Sequence, residues 1–81
     1  MKLLSTEKNE AELLLDKEGD TFAAWLVSVL LSQKEVTGAI HYVQHKLGGK
    51  PVVHFKTKGA DPEEVLKKCL KKMQRDVESL L

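Results

Sequence analysis

From Phe22 to Leu31 nine of ten residues are apolar, and Ser28 is the one interruption. On a helical wheel at about 100° per residue, Trp25, Val29, Phe22, Leu26, Leu30, Ala23, Val27, Leu31 and Ala24 sweep an arc of roughly 260°. A surface helix of a globular domain needs an apolar stripe of only about 100°, so a helix apolar over most of its circumference is buried over most of it. A chain of 81 residues has room for one core and buries only about 60% of the surface its unfolded form exposes. Little chain remains to cover so wide an arc.

The rest of the composition fits a folded chain. Apolar residues make up 42% and the formal net charge is +1, which excludes a disordered tail and points to a single domain over residues 1–81. No stretch reaches the ~18 apolar residues of a membrane span, and MKLLSTEKNE lacks a signal-peptide apolar region, so a cytoplasmic location is expected. Cys69 is the single cysteine, which rules out an internal disulfide and a cysteine metal cluster. Its helical spacing between Leu66 and Met73 marks it as a small buried hydrophobe. Charge is uneven: residues 1–35 hold four lysines against seven acids, residues 36–81 nine basic residues against five acids. The basic excess is mostly Lys interleaved with acids, which suits a solvated face better than a nucleic-acid surface.

Hydrophobic periodicity places the elements. Leu3 and Leu4 begin a short strand, TEKNE makes a polar turn, and Ala11, Leu13 and Leu15 alternate with Glu10 and Glu12 in a second strand. Gly19 breaks the chain, Asp20 and Thr21 are both good caps, and the apolar helix runs from there to about Gln33, with Thr21 as a cap residue. A second hairpin follows, AIHYVQH and PVVHFKT flanking the Gly48–Gly49 pair. A two-residue turn there sets Leu47 opposite Lys50, and hence Tyr42 opposite Phe55, Ile40 opposite Thr57 and Gln44 opposite Val53 on an inward face. His41, Val43, His45, Val52, His54, Lys56 and Lys58 then share the wet face.

Three histidines on one face raise the question of a metal. His41 and His45 lie about 13 Å apart along a strand, whereas zinc ligands all sit about 2 Å from the ion, so no metal site is expected. Cys69, on an apolar helix face, cannot meet the hairpin's wet face to form a nucleophile–base pair. No catalytic residue and no cofactor are expected.

The last segment is the best signalled. Asp61 stands as N-cap, Pro62 at the first helical position and Glu64 where a capping box wants it. Leu66, Leu70, Met73, Val77 and Leu80 then recur at spacings of four, three, four and three, a coiled-coil-like seam. From Pro62 to Leu80 this helix is roughly 28 Å long, so part of its seam reaches beyond the chain's own sheet. The order strand, strand, helix, strand, strand, long helix makes an α+β domain: two β-hairpins in one antiparallel sheet with both helices on one face. Phe22, Leu26, Val29 and Leu30 form the flank of the first helix assigned to the core. The other flank, Ala24, Val27 and Leu31, together with Leu66, Leu70, Met73, Val77 and Leu80, is the expected contact with a second chain.

These residues resemble a known family, subunit L of archaeal RNA polymerase, the counterpart of the small α-like subunits of eukaryotic polymerases. Gly19, Thr21, Val36, Ile40, Tyr42, His45, Leu47, Thr57, Asp61 and Pro62 fall in step with its pattern over nearly the whole chain. Asp20 stands where the family usually has His, Ala24 where it has Asn, and Lys46 where Pro follows the His. The resemblance implies the dimerisation fold of the polymerase α subunit. It also implies a non-catalytic assembly subunit of DNA-directed RNA polymerase, a nucleotidyltransferase complex. Its implied partners are the larger α-like RNA polymerase subunit, as a heterodimer, and the rest of the polymerase, with no membrane and no direct nucleic-acid contact. The competing reading is a free-standing nucleic-acid-binding module using Lys46, Lys50, Lys56 and Lys58, or a homodimeric interaction module. Single-strand binding wants aromatic platforms among the basic groups, and Tyr42 and Phe55 are expected on the apolar face instead.

Overall fold

The computed structural model describes residues 2–15, 19–44 and 48–80. Its elements are β1 (Lys2–Thr6), β2 (Glu10–Leu14), α1 (Gly19–Leu31), β3 (Val36–Gln44), β4 (Lys50–Thr57) and α2 (Pro62–Leu80). The strands form one antiparallel sheet in the order β1-β2-β4-β3, so β4 is a central strand and β1 and β3 are edges. Cα extents of 35 × 34 × 16 Å describe a slab one sheet and one helix layer thick.

The core lies between one sheet face and the two helices. Ala11, Leu13 and Leu15 from the β2 segment and Val53 and Phe55 from β4 meet Ala23, Leu26, Val29 and Leu30 of α1 and Val65, Leu66, Cys69 and Met73 of α2. Alternation along β2 and β4 delivers these residues to one side, as period-two patterning dictates. On α1 the fully buried pair is Leu26 and Leu30, with Val29 beside them and Phe22 half-buried. At its start Gly19 takes φ 80°, a conformation glycine adopts without steric cost, so the chain enters the helix ahead of Thr21. Thr21 thus lies inside the first turn and not before it, which removes it from a cap position. At α2, Asp61 Oδ1 accepts a hydrogen bond from the Glu63 N–H at 3.1 Å, and the Asp61 carbonyl accepts the first helical bond from the Val65 N–H at 3.1 Å.

The second hairpin corrects the expected register. Gln44 pairs with Lys50, Tyr42 with Val52, Ile40 with His54 and Ala39 with Phe55. Gly48 and Gly49 do take positive φ, 79° and 73°, but the strands end further from them than a two-residue turn allows. The expected partners Leu47 and His45 lie outside the described residues. A displacement by an odd number of residues exchanges the faces of β3 while leaving β4 as expected. Ile40 and Tyr42 therefore belong to the outer face, with Val52, His54 and Lys56, while His41 falls on the helix side, level with Val53. His41 and His54 do not share a face.

Tyr42 then ties the outer face together. Its hydroxyl reaches across β4 to Glu12 Oε2 on β2, at 3.5 Å. The ring spans Val52, which is 1% exposed although it lies outside the helix-covered core. Partial burial, the charge of Glu12 and the hydrogen bond to it all push the Tyr42 hydroxyl above its usual pKa of 10.0. The folded state thus holds this proton more tightly, and the stability it contributes is lost as pH rises from about 10 through the folded value.

Two measurements follow. Leu26→Ala should cost about 2–5 kcal/mol in denaturant unfolding, because its site has no exposed route for collapse. Tyr42 is the single tyrosine, so ultraviolet titration near the tyrosinate band reports it alone. Its midpoint should lie above that of the unfolded chain, and Glu12→Gln should lower it.

Candidate subunit interface

Helical phase decides what α1 leaves uncovered. Its buried residues centre between Leu26 and Leu30, so the opposite side carries Ala24, Ser28 and Leu31, with Trp25 at one margin. Leu31 is 53% exposed and Trp25 37% exposed, large apolar surfaces in a helix with only Asp20 charged. α2 approaches from the Trp25 side. There Phe22, Trp25, Leu70, Met73, Gln74 and Val77 line a groove of about 180 Å³ between the helices, with Gln74 its one polar side chain. The Phe22 and Trp25 rings meet edge to face at a centroid distance of 6.1 Å and an interplanar angle of 81°, which fixes one groove wall.

The eight candidate contact residues divide. Leu66 and Met73 are buried in the chain's own core, and Val27 and Leu70 are half-buried against it. Ala24, Leu31, Val77 and Leu80 are exposed, Leu80 at 85%. The C-terminal end of the α2 seam therefore outruns the sheet: from Gln74 to Leu80 every residue is exposed. Trp25 is an addition to the expected contact residues. Its signal in the sequence is its size and its phase one turn from Phe22 on the same flank.

The chemistry around this surface is quiet. Cys69 is fully buried, and burial raises its thiol pKa more than the nearby Lys68 and Lys72 charges lower it, which disfavours the thiolate. His54 Nε2 stands 3.8 Å from Glu10 Oε2 on the outer sheet face, and Lys68 Nζ stands 3.8 Å from Glu35 Oε1. Among the described residues no group of three or more His, Cys, Asp or Glu is placed to hold a metal ion.

The competing nucleic-acid reading changes footing. Phe55 is 1% exposed and cannot stack on a base. Tyr42 moves to the face of Lys56, but Glu10 and Glu12 share that face, and its hydroxyl is engaged by Glu12. Acids interleaved with the lysines there make a poor phosphate track.

A family model described as the RNA polymerase Rpb3/Rpb11 dimerisation domain matches residues 10–81. The chain is 28% identical over 81 residues to DNA-directed RNA polymerase subunit Rpo11 of Archaeoglobus fulgidus, spanning 100% of this chain and 94% of that one. It is 27% identical to the protein of the same name from Methanococcoides burtonii, over 100% and 89% of the two chains. The crystal structure of DNA-directed RNA polymerase subunit L from Thermoplasma acidophilum superposes with a TM-score of 0.84 at 24% identity, covering 98% of this chain and 78% of that chain. That likeness shows the shared sheet-and-two-helix fold. The match over nearly all of the chain, from β2 to the end of α2, shows that it belongs to the RNA polymerase Rpb3/Rpb11 dimerisation domain family.

Proposed function

We propose that this chain is a non-catalytic assembly subunit of a DNA-directed RNA polymerase. It acts as one dimerisation domain that pairs through α1 and the C-terminal half of α2 with the larger α-like subunit of the polymerase. The observation that carries the reading is the exposed apolar surface on those two helices, Trp25, Leu31, Val77 and Leu80, together with the groove between them. Such a surface on a chain this small is costly to leave in water and marks a protein contact. Family membership and relatives named as polymerase subunits support the identity of the assembly. The contact needs no side-chain chemistry: its work is to hold the partner in place so that the catalytic subunits can be built on the pair. No helix among the described residues is long and apolar enough to cross a membrane.

The test is co-purification of tagged chain with the α-like subunit. Leu31→Asp and Val77→Asp should each keep the thermal melt close to that of the unchanged protein, because both positions are exposed. Each should weaken pairing on the order of 100-fold by burying an unpaired charge in the contact. Leu26→Ala should instead lower the melt. Full pairing by both aspartate variants would sink the proposal. Expressed alone, the chain should bind a hydrophobic dye and self-associate at high micromolar concentration, and a dye-negative monomer in sedimentation would count against it.

A further inference from the structure

The sheet has a second open feature, away from the helices. β3 is an edge strand of nine residues, and among the described residues it has a strand on one side only. It contains no Lys, Arg, Asp, Glu or Pro, the devices by which edge strands ordinarily repel pairing. The other edge, β1, is five residues long, carries Lys2 and is interrupted by a register shift between Leu3 and Ser5. Backbone N–H and C=O groups of alternate β3 residues thus face outward in a row that only another extended chain can satisfy. Ile40 on the outer face is 57% exposed beside that row.

The outer face adds a chemical preference. Gly38 is level with Lys56 on β4 and Ile40 with His54. A Cβ built on Gly38 meets nothing within 4 Å, and Gly38, Ala39, Ile40, His54 and Lys56 line a depression of about 300 Å³. Glu10, level with Lys56 from the β2 side, leans toward His54 at 3.8 Å. A side chain from an added strand level with Gly38 would pass over the missing side chain and reach the exposed Lys56 ammonium.

We propose that the free edge of β3 takes up an extended segment of another polypeptide as a fifth strand, with a carboxylate side chain of that segment lying over Gly38 against Lys56. Backbone hydrogen bonds supply the attachment, and the glutamate or aspartate sets the register. A second copy of this chain fits less well, because β3 pairing with itself brings no carboxylate to Lys56.

The test uses the full chain and three capped peptides of alternating valine and threonine, with a central glutamate, glutamine or lysine. Fluorescence polarisation should rank glutamate above glutamine by about three- to fivefold and place lysine last. Amide hydrogen exchange should slow at alternate β3 positions when the glutamate peptide is present. Lys56→Gln should abolish the preference for glutamate. Gly38→Thr should fold normally, since its Cβ has open space and threonine favours strands, yet lose the glutamate preference by filling the depression. Equal affinity for all three peptides, absence of binding at millimolar concentration, or a glutamate preference that survives both substitutions would overturn the proposal. So would β3 protection that appears without peptide and grows with protein concentration, which would assign the edge to a second copy.

Discussion

Everything in this structure depends on how α1 is buried. Leu26 and Leu30 have no exposure, and they reach that state by lying against Val53 and Phe55 on one side with α2 alongside. A two-layer slab can cover one side of a helix and part of one flank. It cannot cover an arc of roughly 260°, and the remainder stays outside as Trp25 and Leu31. The apolar surface is therefore a geometric result of putting that sequence into a single layer, not an incidental cluster of surface hydrophobes.

Much of this was legible in the residues, for local reasons. Gly19, the Asp61–Pro62 pair and the period-two run Ala11, Leu13, Leu15 each act within a few positions, and each element they predict is present. What was not legible was the register of the second hairpin. The β3 sequence is apolar in both phases, Ala39 and Val43 in one, Ile40 and Tyr42 in the other, so its pattern does not choose a face. The choice falls to loop geometry, and the glycine pair suggested a tighter loop than the strands adopt. In α2 the seam was visible but not its division. Leu66 and Val77 occupy equivalent places in a four-three spacing, and only the extent of the sheet beneath decides that the first is buried and the second exposed.

The division of labour between the two sheet faces follows from the same geometry. The helix-covered face holds the aliphatic core, including Cys69, whose thiol is sealed from reagents and bases alike. The outer face is stabilised differently, by one tyrosine laid across a central strand and tied to a carboxylate. Membership of a dimerisation-domain family is compatible with this arrangement, because an assembly role asks for shape and apolar contact area and for no reactive group.

The overhang of α2 has a consequence for order in time. Residues from Gln74 to Leu80 have helical hydrogen bonds but are all exposed, and short helical segments without tertiary support are marginal in water. Their opening free energy is set by the end of one helix and not by the global fold, so this end exchanges its amides through local fraying. A partner seated on Val77 and Leu80 would bind only the closed, helical form. Its affinity is then reduced in proportion to the closed fraction, and the winding of the last two turns becomes part of the binding reaction itself.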